Sequence, residues 1–156
     1  MNNYITAIIC AMEEEIAAFR SISRDDILLI KSGVGKVNAT VAAMDAIHRG
    51  ATRIISTGFA GSIRPKVRPG SILLAFRAIQ HDMDATELGY KLSEIPYAET
   101  SHWDSDNALT MAMLNSALSY GNVVHIGAIL SGDQFITRER KDSCWLLFWS
   151  DQYSNL

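Results

Sequence analysis

Residues 4–15 read Tyr4-Ile5-Thr6-Ala7-Ile8-Ile9-Cys10-Ala11-Met12-Glu13-Glu14-Glu15. A β-branched apolar run of this length fits a strand covered on both faces, as in a parallel sheet. Carboxylates directly at its end do not fit packing. From Glu13 to Arg20 the pattern is helical, with Ile16 and Phe19 on one side. Acidic residues in a first helical turn suit the positive end of the helix dipole, which accounts for two of the three glutamates. The third is then available to a cleft at the carboxyl end of the strand, where open α/β sheets bind ligands. A carboxylate there can orient a water or a hydroxyl.

The same alternation continues outward. Ile27-Leu28-Leu29-Ile30 reads as a second strand, ending in Lys31-Ser32-Gly33-Val34-Gly35-Lys36. A helix follows from Val37 to Arg49, with Val37, Val41, Met44 and Ile47 on one face and Gly50 at the place of a C-terminal cap. Arg53–Thr57 is a third strand, closed by Gly58-Phe59-Ala60-Gly61. Strand, helix, strand, helix, strand is the order of a parallel sheet. A further strand is expected between Ser71 and Ile79, a long loop from Gly89 to Trp103, a helix from Asn107 to Tyr120 capped by Asp104-Ser105-Asp106, and a last strand from Val123 to Leu130.

Composition narrows the function classes. The 156 residues suffice for one domain with a core. A net charge of −3 leaves no basic footprint for nucleic acid. No apolar run is long enough to span a bilayer, and residues 1–4 have neither the basic start nor the cleavage site of a signal peptide, so a cytoplasmic protein is expected. Cys10 and Cys144 form neither a metal spacing nor a disulfide framework.

The strand ends carry small or acidic residues, and glycines there let a ligand approach the backbone. Gly33-x-Gly35-Lys36 lacks P-loop spacing, and a plain strand-to-helix turn explains it as well. His81 is a general-base or metal candidate, but no second histidine stands at ligand spacing, and a hydrogen-bonding cluster with Asp82 and Asp84 is the commoner outcome. Phe135 fits a buried core position or a surface on which a flat ligand stacks, and core is the commoner outcome.

Five stretches in order resemble the 5′-methylthioadenosine/S-adenosylhomocysteine nucleosidases of the nucleoside phosphorylase superfamily. They are Ala11–Glu15, Lys31–Lys36, Thr57–Gly61, His81-Asp82-Met83-Asp84-Ala85-Thr86 with Gly89-Tyr90, and Ser131-Gly132-Asp133-Gln134-Phe135-Ile136. The resemblance covers residues 4–137. It implies a three-layer α/β/α sandwich around a twisted mixed sheet, incomplete at its C-terminal side. Residues 1–137 would form the nucleosidase-like domain and 138–156 a divergent tail. It implies hydrolysis of the bond between adenine and a 5′-thio-substituted ribose, through a ribosyl cation that water captures. Glu15 matches the carboxylate that holds this water. Met12 and Val34 match residues near the ribose and the alkylthio group. Phe59 stands near the water, where the family commonly has a small residue, so it either crowds the site or turns into the core. Phe135 matches the aromatic that stacks on adenine, and the Ile136 backbone matches groups that read the base edge. Ala85 and Leu88 match positions that reach across a homodimer. The implied partner is a nucleoside, with no nucleic acid or membrane. No metal or organic cofactor is implied.

The chain departs from the family pattern in length as well. Ser21–Asp26 is too short for the hairpin the family has there. Past the fifth stretch the resemblance calls for a glutamate that binds the ribose hydroxyls and an aspartate that protonates the purine. Residues 138–156, with the apolar run Cys144–Trp149, match neither. The expectation is a nucleosidase by descent with an impaired catalytic set, arising from a frameshift or early stop or from a short divergent member. Another nucleoside hydrolase or phosphorylase, such as a futalosine hydrolase, and a non-catalytic nucleoside-binding or interaction remnant are the alternatives.

Overall fold

The computed structural model describes residues 4–64 and 66–137. They fall into two compact units, one ending at Gly61 and the other beginning at Ser62. The tail expected over residues 138–156 lies outside the described residues.

The first unit runs β1 (Ile5–Cys10), α1 (Glu13–Ile16), a 3-10 turn over Ala17–Phe19, β2 (Ile27–Lys31), α2 (Lys36–His48) and β3 (Ala51–Ser56). The strands form a parallel sheet in the order β2-β1-β3. Ile8 of the central strand lies opposite Leu29 on one side and Ile55 on the other. Both faces of β1 are covered, which is why the run has no polar alternation. Ala7 and Ile9 pack with Ile30 and with Ala42 and Ala46 of α2. Ile8 and Cys10 pack with Ile16 of α1 and, beside it, Phe19. Helices on opposite faces make this unit three layers, α/β/α, by itself. Burial pushes the Cys10 thiol above its usual range, with the Glu15 carboxylate adding to the effect.

One helical expectation changes, and the buried face of the second helix becomes visible. The helix expected over 13–20 is a single α-turn that tightens into the 3-10 turn, a common way for a helix to end before a short return to the sheet. In α2 the face that enters the core belongs to the small residues. Ala46 is fully buried, whereas Val37, Val41, Met44 and Ile47 are exposed. Alanines let the helix axis lie close to the sheet, and the larger side chains then have no room beneath it. Gly50 ends the helix at φ +88°, with its N–H bonded to the Ile47 carbonyl at 2.9 Å.

The second unit runs β4 (Ile72–Gln80), a 3-10 turn over Thr86–Leu88, β5 (His102–Asp104), α3 (Asn107–Ser119) and β6 (Val124–Ser131). Its sheet is mixed, in the order β5-β4-β6, with β6 parallel and β5 antiparallel to β4. The end of the loop expected over 89–103 is thus strand β5. Arg77 lies opposite Asp104 in the register and pairs with it, holding the Asp104 carboxyl below its usual range. The Asp106 side chain accepts from the Leu109 N–H at 2.7 Å, the expected N-cap of α3.

Ser93 marks a strained point in the loop between the 3-10 turn and β5. Its φ is +68° and it is 6% exposed. Its hydroxyl has no partner among the described residues. A left-handed backbone disfavours a side chain, and a buried unpartnered hydroxyl adds a desolvation cost. Replacing Ser93 by glycine is expected to stabilise the protein by about 1–2 kcal/mol, read from the midpoint of urea unfolding. An unchanged or lowered midpoint would remove this account of the loop.

Candidate functional site

Glu15 carries a carboxyl group just past the end of β1, yet it is only 7% exposed. Its position follows from three backbone donors. Oε2 accepts the N–H groups of Ala11 and Met12, both at 2.9 Å. Oε1 accepts the Phe59 N–H at 2.8 Å. Met12 precedes α1, so Glu15 is the third helical residue reaching back over the start, half of a capping box. The turn after β3 supplies the other donor, so one carboxylate ties together the ends of two adjacent strands. All three glutamates stand in the first turn, as the dipole reading expects of two of them, and Glu15 alone reaches back to the helix start. Glu13 instead takes hydrogen bonds from Arg20 and, at 3.3 Å, from Lys31; these, the Arg20 bond first, hold its carboxyl below the usual range.

The turn after β3 explains how the carboxylate fits. A Cβ on Gly58 would stand 2.3 Å from Oε1 and 2.6 Å from Cδ of Glu15. No side chain fits between the turn and the carboxylate. Among the described residues, Oε2 accepts two bonds and Oε1 one, which leaves Oε1 capacity for one more. That remaining position is where a water or a ligand hydroxyl can bind.

The other expected residues of this unit lie around the same strand ends. The Ser32 N–H donates to the Cys10 carbonyl at 2.9 Å, which brings the turn carrying Val34 beside the end of β1. Val34 and Met12 are both exposed. Gly33 and Gly35 have φ of +87° and +99°, consistent with the strand-to-helix turn. Phe59 is 76% exposed. The alternative in which it turns into the core is therefore excluded, and only its backbone reaches Glu15.

The second unit presents its own group at the carboxyl ends of the parallel pair β4 and β6. Gln80 is in register with Ser131, so His81 and Gly132 leave the sheet side by side. The His81 N–H donates to the Ser131 carbonyl at 2.9 Å, and Asp82 Oδ2 accepts the Asp133 N–H at 2.7 Å. Asp84 accepts from the Thr86 hydroxyl and N–H at 2.7 and 3.0 Å; these bonds, the hydroxyl first, hold its carboxyl below the usual range. Asp82 and Asp84 each hold a hydrogen bond, Asp82 to the Asp133 turn and Asp84 to Thr86. Among the described residues, no group of three His, Cys, Asp or Glu side chains could hold a metal ion.

Phe135 follows β6 and is 91% exposed, so the core reading of it is corrected. Ile136 beside it is half-buried. Ala85 is half-buried and Leu88 exposed, flanking and ending the 3-10 turn after β4. Sequence reading missed Gly58 and the backbone donors of Glu15. The only available signal was a glycine at a strand end, which is compatible with many causes.

Comparison with known proteins gives these features a family. A profile described as the phosphorylase superfamily matches residues 18–147. The chain belongs to the phosphorylase superfamily. A 5′-methylthioadenosine/S-adenosylhomocysteine nucleosidase of Anoxybacillus flavithermus is 31% identical over 83% of this chain and 65% of its own length. The chain thus spans just under two thirds of the curated relatives it matches first. The crystal structure of a nucleosidase of the same kind from Neisseria meningitidis, in complex with methylthio-immucillin-A, superposes with a TM-score of 0.83 at 30% identity, covering 92% of this chain and 71% of that one. The fold is therefore the α/β fold of these nucleosidases. An aminodeoxyfutalosine nucleosidase of Campylobacter jejuni is 32% identical over 79% of this chain and 54% of its own length. Among the described residues no helix is long and apolar enough to cross a membrane.

Proposed function

We propose that the protein is a purine nucleosidase that hydrolyses the N-glycosidic bond of 5′-methylthioadenosine and S-adenosylhomocysteine, releasing adenine. The observation that carries the reading is Glu15, buried at the end of β1 with one acceptor position of Oε1 left for a water. The bond from the anomeric carbon to the purine nitrogen breaks with its electron pair going to the purine, which takes up a proton from solvent to leave as adenine, as the ring oxygen stabilises the ribosyl cation. Water on Glu15 gives its proton to the carboxylate as its oxygen joins the anomeric carbon. Phe135 offers an exposed ring for adenine to stack on, and the Ile136 backbone reads the base edge. Met12, Val34 and Phe59 border the ribose and its sulfur substituent. Loss of general acid catalysis is worth about 10²–10⁴-fold. A polypeptide of these 156 residues alone is therefore expected to turn over slowly, because the purine acid and the ribose-binding glutamate that the resemblance calls for are not matched within it.

The test is adenine release from 5′-methylthioadenosine, S-adenosylhomocysteine and aminodeoxyfutalosine, with and without phosphate. Phosphate-independent release from the thio-nucleosides supports the proposal. Preference for aminodeoxyfutalosine favours the second reading, which the Campylobacter jejuni relative motivates. Phosphate dependence would make it a phosphorylase. Adenine binding without release would make it a nucleoside-binding protein.

A cytoplasmic homodimer is part of the same proposal, with Ala85 and Leu88 closing the partner's thio-substituent pocket. The exposed apolar stripe Val37, Val41, Met44 and Ile47 on α2 supports an interface, because such a row is unusual on a monomer surface. Changing both Val41 and Met44 to aspartate is expected to convert dimer to monomer in sedimentation. A dimer that survives this change would move the interface elsewhere.

A further inference from the structure

His81 and Asp82 remain without a role in this chemistry, although His81 is buried and both converge on one residue. A Cβ on Gly132 would stand 2.4 Å from His81 Nε2 and 2.8 Å from Asp82 Cγ. The turn after β6 thus leaves its strand directly against these side chains. Gly132 has no left-handed φ, so its backbone would accept a side chain, and the three atoms nearest to one all belong to His81 and Asp82. Asp82 Oδ2 also accepts the Asp133 N–H at 2.7 Å, a charge-assisted bond to the next residue of the turn. The residues after it, Phe135 and Ile136, present one exposed ring and one half-buried side chain.

We infer that His81 and Asp82 are positioning residues for the 131–137 turn. Asp82 grips the Asp133 amide, while His81 fixes the path of the chain at Gly132, so that Phe135 and Ile136 are presented in one arrangement. This rests on the proposed reading that Phe135 and Ile136 hold adenine. Physically, an exposed aromatic binds a flat ring well only if its own ordering has been settled beforehand. A carboxylate reaching from the end of the neighbouring parallel strand supplies that order without occupying the ligand's place.

The experiment compares Asp82→Ala, Asp82→Asn and Gly132→Ala in the full chain by hydrogen exchange of the 131–137 peptide and by adenine titration. Loss of a charge-assisted bond is expected to speed exchange at Asp133 by about tenfold or more in Asp82→Ala, and to weaken adenine binding by a similar factor. Asp82→Asn, which keeps an acceptor oxygen, restores most of both, and Gly132→Ala repeats the loss. Peptides from β1 to β3 are unaffected. Unchanged exchange in Asp82→Ala overturns the inference. Faster exchange with adenine affinity within about twofold also overturns it, because the hold is then only structural. If the parent chain does not bind adenine, the role given to Phe135 and Ile136 fails. Exchange alone then decides whether Asp82 secures the turn.

Discussion

On the proposed activity, replacing Glu15 by glutamine is expected to lower the rate of adenine release by about 10²–10⁴-fold, with substrate affinity changed far less. The size comes from the loss of a general base, and the geometry says why so mild a substitution is enough. A glutamine has one acceptor oxygen and one donating amide group. Its oxygen is best placed where Oε2 now accepts two N–H groups, those of Ala11 and Met12. The amide nitrogen then occupies the place of Oε1. It faces the Phe59 N–H as a second donor and offers a hydrogen to the water where the carboxylate took one. The variant therefore inverts the polarity of the one position left for a ligand. It also loses a buried hydrogen bond, at about 1–3 kcal/mol of stability, so rates should be compared well below the unfolding midpoint. Within an order of magnitude of the parent rate, Glu15 would be only the cap of α1 and a tie between strands.

The order of elements was legible because it rests on local pattern. β-branched runs alternate with helical stretches, and Asp106 and Gly50 stand where the helices begin and end. What escaped depends on distance along the chain. Glu15 and Phe59 are 44 residues apart, and nothing in either neighbourhood announces a bond between a carboxylate and a backbone amide. Which face of α2 turns inward was not legible for a related reason. Periodicity marks which residues share a face, but whether large or small ones turn inward depends on how near the sheet lies. β5 is three residues long and is held by pairing with β4, a long-range contact with no local signature. Phe59 and Phe135 were ambiguous because a phenylalanine after a strand serves core and site equally well, and only their exposure separates the two. The family was legible from five short stretches at strand or turn ends, and the carboxyl ends of strands are where open α/β sheets bind ligands.

Replacing Gly58 by alanine is expected to lower the rate of adenine release by about 10²-fold, although the residue has no side chain to take part in the reaction. The new methyl would lie 2.3 Å from Glu15 Oε1 and 3.0 Å from Oε2, so the carboxylate must leave its place. Moving it breaks the 2.8 Å bond from Phe59 and pulls Oε2 off the start of α1. Misplacing a reacting group by about 1 Å is enough for a loss of this size. Overpacking adds a cost of about 1–3 kcal/mol to stability. The backbone at Gly58 is not left-handed, so the demand for glycine comes from the carboxylate alone. That distinction yields a second-site test. In a Glu15→Ala background the obstacle is gone, and Gly58→Ala should then be nearly neutral for stability and add little to the rate loss already present. The two changes should therefore be strongly non-additive, as expected for groups in direct contact. Additive losses would mean that Gly58 matters for the path of the turn and not for the carboxylate, and the fit between the β3 turn and Glu15 would no longer account for the glycine.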